Sequence, residues 1–172
     1  MQADIFGQKV LLRPMDLADL DQVMAIERIC FPSPWPREAF VYELTRNHNA
    51  ASWVAEMSCS EDGLQVVGST IIWLGPKGAH IGTLAILPDC RRHGIGQSLL
   101  ARALMECHKR GAAQAFLEVR AGNVPGQALY RKFGFEAIGV QKNYYTDTGE
   151  DAIIMLLSPI DAVVLANLVV HQ

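Results

Sequence analysis

The 172-residue sequence has no apolar run long enough to cross a bilayer: the longest, Ala162–Val170, is interrupted by Asn167 and falls far short of the ~20 residues a spanning helix needs. Met1–Leu12 shows no basic start followed by an apolar stretch, so no secretory signal is read there. Positive charge is scarce, with 15 Lys and Arg against 18 Asp and Glu and a net charge of −3. Phosphate neutralisation needs clustered cations in excess, so a general nucleic-acid binder is excluded and a cationic partner fits better. No segment rich in Gly, Ser or Pro divides the chain, and no repeat is visible. A single domain is expected, in the cytoplasm and without direct membrane or nucleic-acid partners.

Cysteine pairing is also missing. Cys30, Cys59, Cys90 and Cys107 are scattered without a C-x-x-C pair and read as free thiols. Cys90 lies three before His93, and Cys107 precedes His108, but adjacent residues point to different sides of a helix, so no metal is expected. Half of the residues are apolar and 19% are charged, the balance of a globular domain large enough to fold without disulfide or metal.

The pattern predicts a first strand at Lys9–Arg13 and a helix capped by Asp16 that runs to Cys30, broken by Phe31-Pro-Ser-Pro-Trp-Pro36. A short helix over Arg37–Arg46 follows. Strands are then expected near Ser52–Ser58, Gln65–Leu74 and Ala79–Leu87, the first two turning at Asp62-Gly63. Ile95, Leu99, Leu100, Ala103, Leu104 and Cys107 recur at helical spacing, with Gly111 as the stop. Ala115–Val119 reads as a strand, Pro125–Phe133 as a helix, and Phe135–Tyr145 with Ala152–Leu157 as a closing pair. That order implies an α/β (α+β) domain: a mixed sheet with helices on both faces.

The strand at Ala79–Leu87 leads into Arg91-Arg92-His93-Gly94-Ile95-Gly96, which opens the long helix. Glycines let backbone fold closely around an anion, and the first helical N–H groups favour a pyrophosphate. G-x-G-x-x-G is not met and the G-x-x-x-x-G-K-[ST] loop is absent, which removes both nucleotide-binding classes. By itself the hexapeptide could still be a plain turn with a solvated basic pair.

R-x-x-G-x-G between a strand ending Leu84-Ala-Ile-Leu-Pro88 and a long helix resembles the coenzyme A loop of the GNAT acetyltransferase superfamily. The likeness continues through His80–Asp89, Leu117–Arg120, Asn123, Ala128–Tyr130, Phe133–Phe135, Asn143–Tyr145 and Glu150–Ala152, which are similar to the bacterial ribosomal-protein-alanine N-acetyltransferases, over about Leu11 to Leu157. The resemblance implies a GNAT fold, with a central, mostly antiparallel sheet flanked by helices over residues 8–158 and a C-terminal tail at 159–172. It implies acetyl-coenzyme A as cosubstrate and no metal. Leu84, Ala85 and Ile86 would offer backbone groups to the acetyl-pantetheine arm. Arg91, Arg92, His93, Gly94, Ile95, Gly96 and Gln97 would surround the pyrophosphate, and Asn123 would anchor the pantetheine arm. The wording departs from the family at Ala121-Gly122 and at Pro125-Gly126, which bears on how the helix after Asn123 starts.

Acetyl transfer to an amine needs a base for the amine, a stabilised oxyanion and a proton for the leaving thiolate. Glu118, in an otherwise apolar strand, is the candidate base; an alternating strand could instead place it at a solvent face. Tyr130 is the candidate acid, since a phenol of reference pKa ~10 can protonate a thiolate of ~8.5, although it could equally be an amphipathic core residue. The resemblance assigns both roles. An oxyanion would meet a backbone N–H around Ala85–Leu87. No cysteine is near Glu118 or Tyr130 in sequence, so direct attack is expected over a cysteine relay.

By analogy, Phe31 and Trp35 in the proline-rich corner, and Tyr144 and Tyr145 in the loop between the last two strands, flank the acceptor; plain packing is the alternative. The resemblance implies transfer to the N-terminal alanine of a ribosomal protein, the eighteenth of the small subunit. A GNAT enzyme for another amine and a non-catalytic acyl-coenzyme A sensor stand as alternatives.

Overall fold

The computed structural model describes residues 2–5, 8–59 and 63–169. β1 (Gln2–Ile5), β2 (Gln8–Pro14), β3 (Ala50–Cys59), β4 (Gly63–Gly75) and β5 (Gly78–Ile86) form an antiparallel meander. β6 (Ala115–Arg120) joins β5 in parallel, and β7 (Glu136–Tyr145) and β8 (Glu150–Leu157) complete the order β1-β2-β3-β4-β5-β6-β8-β7. The mixed, mostly antiparallel sheet matches the expected architecture. β1, only four residues long, is an addition to it, and Asp62 of the expected turn lies outside the described residues.

Helices cover both faces. α1 (Leu20–Cys30) and α2 (Arg37–Thr45) bury Leu20, Val23, Met24, Ile26 and Phe40 in a smaller core against Val54, Val66 and Ile71. On the other side α3 (Ile95–Lys109) buries Ile95, Leu99, Leu100, Ala103, Leu104 and Cys107, the residues its spacing singled out. α4 (Val124–Lys132) packs Leu129 and Tyr130 on that larger core. The stretch read as a tail contains α5 (Ala162–Leu168), capped by Asp161 and docked through Leu165 and Val169; residues 170–172 lie outside the description.

Local chemistry explains the boundaries. Asp16 caps a 3-10 turn at Leu17–Asp19 before α1 begins, because the Asp19 carboxylate both accepts from the Asp16 N–H at 2.7 Å and pairs with Arg13 at 2.7 Å. α1 ends where Phe31 donates to the Glu27 carbonyl and three prolines follow within five residues. The departure at Pro125-Gly126 proves compatible with a helix: Pro125 occupies its first turn and Asn123 Oδ1 accepts from the Gly126 N–H at 3.0 Å.

Two irregularities shape the centre of the sheet. The β4–β5 ladder passes from Ile71–Thr83 to Ile72–Ile81 and skips Gly82. This bulge reverses the faces of β5, so Ala79 and Ile81 join the larger core while Ala85 joins the smaller one. The parallel pair β5–β6 is joined only at Ala79–Ala115 and His80–Phe116, after which the strands part. The parting leaves a wedge whose one wall is the stretch 81–86 of β5.

Candidate active site

Glu118 stands beside that wedge. β6 alternates strictly, with Ala115, Leu117 and Val119 buried and Phe116, Glu118 and Arg120 on the half-open face. The carboxylate is therefore on the polar side of an alternating strand, and its neighbours give it chemical meaning. Glu118 Oε2 lies 2.7 Å from His80 Nε2, with the two side chains 20% and 28% exposed. His80 is opposite Phe116 in the parallel register, so its ring stacks on Phe116 at 4.4 Å, while Trp73 meets it edge-on at 5.3 Å. The chain of rings continues to Trp35, stacked on Trp73 at 5.3 Å, and on to Phe40 at 5.6 Å. Gly82 makes this possible, since a Cβ there would lie 2.8 Å from the Trp73 ring and 3.1 Å from that of Trp35.

The opposite wall comes from β7 and its turn into β8. The ladder jumps from Gln141–Ala152 to Tyr145–Glu150, and Asn143 takes φ 52° with its N–H on Asp151 at 3.0 Å. Alternation is lost there, and the rings of Tyr144 and Tyr145 meet edge-to-face at 5.0 Å. The Tyr145 hydroxyl donates to the Glu118 carbonyl at 3.3 Å, and the Arg120 guanidinium covers its ring at 3.9 Å. Arg120 also holds Asp147 at 2.6 Å, Thr148 at 2.8 Å and Glu150 at 3.3 Å, fixing the turn. Its hydrogen bond holds the Asp147 carboxyl below the usual range, and the Ser33 hydroxyl lowers it further.

Burial pushes the Tyr130 phenol above its ordinary value, with Tyr145 adding to the shift, and its ring packs edge-on to Phe135 at 5.8 Å. Tyr130 thus stays protonated through the neutral range. Burial also pushes Tyr145 up to about 12, and raises Tyr144 together with the nearby Glu118 charge. These effects bring Glu118, Tyr144, Tyr145 and Tyr130 into one electrostatic neighbourhood. Trp35 belongs to it through the rings. Phe31 packs partly buried against the smaller core instead.

The Arg91–Gly96 turn leads from β5 into α3. Arg92 (φ 67°) and Gly94 (φ 80°) are both left-handed, a backbone course that turns successive N–H groups toward one concavity at the start of α3. Arg91, Arg92 and His93 are exposed around it, although Arg91 Nε is engaged by the Ile86 carbonyl at 2.9 Å. Gly96 allows α3 to approach β5, since a Cβ there would sit 3.3 Å from Ile86. Ile95 is buried, and the Gln97 side chain donates to the Leu168 carbonyl of α5 at 2.8 Å. Leu84 and Ile86 are half-buried along the wedge and Ala85 is buried. The Leu87 N–H is spent on the Val67 carbonyl at 2.9 Å, which removes it from the oxyanion donors considered above. The Asn123 side-chain oxygen caps α4 by accepting from the Gly126 N–H. Among the described residues no group of three or more His, Cys, Asp or Glu could hold a metal, and no helix is long and apolar enough to cross a membrane.

His80, Trp73 and Arg120 are the site residues that the sequence reading gave no role. Their signal lies in pairing: His80 opposite Phe116 across parallel strands, and Arg120 two residues beyond Glu118 on the same face.

A parallel pair splayed into a wedge, a left-handed turn opening α3 and a carboxylate beside the wedge are compatible with acyl transfer. Residues 20–135 match the acetyltransferase (GNAT) family. The chain is 42% identical over 147 residues to a candidate [ribosomal protein bS18]-alanine N-acetyltransferase of Bacillus subtilis (strain 168), covering 86% of this chain and 94% of that one. It is 38% identical over 164 residues to an N-alpha-acetyltransferase of Sulfurisphaera tokodaii, covering 87% and 93%. The crystal structure of the ribosomal-protein-S18-alanine N-acetyltransferase from Escherichia coli superposes with a TM-score of 0.74 at 30% identity, over 88% of this chain and 94% of that one. The chain belongs to the GNAT acetyltransferase family. It is an N-acetyltransferase with acetyl-coenzyme A as cosubstrate.

Proposed function

We propose that this enzyme acetylates the free α-amine of proteins beginning with alanine, ribosomal protein bS18 among them, in the cytoplasm. The observation that carries the reading is the placement of Glu118 where the β5–β6 wedge meets a cleft walled by Trp35, Tyr144 and Tyr145. Two relatives named for alanine acetylation of this ribosomal protein support the acceptor.

Acetyl-coenzyme A is held by the Arg91–Gln97 turn, the Leu84–Ile86 edge and Asn123. Glu118, oriented by His80, takes the proton from the acceptor's ammonium, directly or through water, and the neutral amine attacks the thioester carbonyl. A C–N bond forms as the C–S bond breaks. The tetrahedral oxyanion is met by a backbone N–H of Ala85 or Ile86; as it collapses Tyr130 gives its proton to the departing thiolate, and the second proton lost by the acceptor nitrogen restores the phenol through solvent. An α-amine has a reference pKa about 2 units below that of lysine, so its neutral form is easier to reach by nearly 3 kcal/mol, which suits a carboxylate base. A cleft walled by Trp35, Tyr144 and Tyr145 suits a chain terminus with a small first side chain.

The test offers an alanine-starting peptide, its N-terminally blocked form with an internal lysine, and a polyamine at equal concentration. The alanine peptide is expected to react fastest. A faster blocked peptide or polyamine replaces the N-terminal reading with a lysine or small-amine one, and no thiol release with any amine leaves an acyl-coenzyme A sensor.

A further inference from the structure

Regular strand pairing does not hold the wall that Tyr144 and Tyr145 form. The β7–β8 ladder stops at Gln141–Ala152 and resumes only at Tyr145–Glu150, so residues 142–144 run outside it. On the near side Asp151 accepts from the Asn143 N–H at 3.0 Å and from the Lys142 ammonium at 2.7 Å. On the far side the turn closes on itself, the Gly149 N–H donating to the Tyr145 carbonyl at 2.7 Å. A turn closed only on itself opens readily, so a wall of fixed width needs a tie to the body of the sheet.

Arg120 supplies that tie from β6. Strict alternation puts it on the same half-open face as Glu118, two residues further along the strand. Its guanidinium covers the Tyr145 ring at 3.9 Å; one terminal nitrogen donates to Asp147 at 2.6 Å, and the other to Thr148 at 2.8 Å and Glu150 at 3.3 Å. A ring and three acceptors thus converge on one planar cation, which a fixed fork of donors can satisfy and a lysine ammonium cannot. The side chain is only 21% exposed, so these charge-assisted bonds are less screened than those of an open surface pair. Glu150 is fastened in turn, its other oxygen accepting from the Gly122 N–H at 2.6 Å. The Tyr145 hydroxyl meanwhile donates to the Glu118 carbonyl at 3.3 Å. Base and wall therefore hang from the same strand, and the guanidinium spans the stretch that the ladder leaves open.

We propose that Arg120 sets the width of the acceptor cleft: by fixing the Tyr145 ring and the Asp147–Glu150 turn relative to Glu118, it makes the enzyme refuse a bulky first side chain. It is a positioning residue, acting through Tyr145 and the turn. The proposal rests on the acceptor reading above.

The Arg120 carbonyl also accepts from the Asn123 N–H at 3.0 Å, so a substitution here can reach the coenzyme A side as well. The measurement is therefore a ratio in which such effects cancel. An alanine-starting peptide and the same peptide starting with leucine compete at one acetyl-coenzyme A concentration, and their products give the ratio of the two kcat/KM values, free of active fraction and cofactor occupancy. The unaltered enzyme is expected to favour alanine. Arg120→Met should lower that preference about 5-fold or more, Arg120→Lys nearly as much, and Asp147→Ala, which leaves the guanidinium on Tyr145, by less. If Arg120→Met does not fold, the other two variants carry the comparison. An unaltered ratio in Arg120→Lys, or in a folded Arg120→Met, overturns the proposal, because a merely structural role lowers both rates together. If the unaltered enzyme does not favour the alanine peptide, the acceptor reading fails, and the ratio between the two amines it accepts best still decides the role of Arg120. Refusal of every amine overturns both.

Discussion

Replacing Glu118 by Gln removes a proton acceptor while keeping the size of the side chain and its contact with His80 at 2.7 Å. Turnover near neutral pH is expected to fall by about 10²–10⁴, with acetyl-coenzyme A affinity unchanged. The deficit should narrow as pH rises, because the amine then loses its proton unaided; a pH–rate series that stays parallel to the parent curve makes Glu118 a positioning group instead. Tyr130→Phe separates the second proton from the first. Burial keeps this phenol protonated, and its loss should slow thiolate departure with no alkaline recovery, read from the same series. Wild-type rates would return Tyr130 to a packing role against Phe135. Both residues were legible as candidates in the sequence because their chemistry stands out from apolar surroundings and the family wording covers them. His80 was not, since a histidine two residues before Gly82 acquires its role only when the parallel register puts it over Phe116 and within reach of Glu118.

Single elements carry the next level of function. The proposed anion turn has Gly94 at φ 80°, where a β-branched side chain is strained and would displace the N–H groups that open α3. Gly94→Val should lose coenzyme A binding by titration calorimetry while the cooperative unfolding transition persists, and retained affinity would remove this turn from the site. Another element-level device is the Arg13 fork, which reaches Asp19 at 2.7 Å and Glu56 at 2.8 Å and so ties β2, β3 and the turn before α1. Burial works to raise the Asp19 carboxyl, but the hydrogen bonds from Arg13 and the Asp16 N–H overcome it and hold the group below its ordinary value. A depressed carboxyl contributes stability that is present above its unfolded value and lost as pH falls through its folded one. Arg13→Met, which strands two nearly buried carboxylates, should cost about 3–5 kcal/mol at pH 7. Denaturant titrations should show that gap closing as pH falls below the ordinary carboxylate range and through the lowered Asp19 value. The helices and strands of this framework follow from periodicity, capping and proline placement. The bulge at Gly82 and the break at Asn143 leave no periodic mark, and those two irregularities aim Trp35, Tyr144 and Tyr145 into the cleft.

At the scale of the whole molecule, the open question is where the folding unit ends. The sequence reading divides the chain near Ser158, and α5 stands beyond that point with only seven residues, too short to persist in water without tertiary support. Its support is visible: Ile160, Leu165 and Val169 are buried in the larger core, the Ile160 N–H reaches the Ala113 carbonyl at 2.8 Å, and Gln97 in the first turn of α3 holds the Leu168 carbonyl. The segment therefore runs from the loop after α3 back to the end of α3 that opens on the anion turn. We propose that the C-terminal helix folds with the acetyltransferase domain as one cooperative unit. Leu165→Ala should then lower global stability by about 2–4 kcal/mol without changing the denaturant slope, as for an aliphatic side chain deleted from a closed core. Val163→Ala, on the exposed side of the same helix at 70% exposure, serves as the control and should change stability by less than about 0.5 kcal/mol. If both variants are equally mild, α5 is an appendage that opens without the rest, and the domain ends near residue 158. If Leu165→Ala also weakens coenzyme A binding, the contact between Leu168 and Gln97 transmits the docking of this helix to the anion turn.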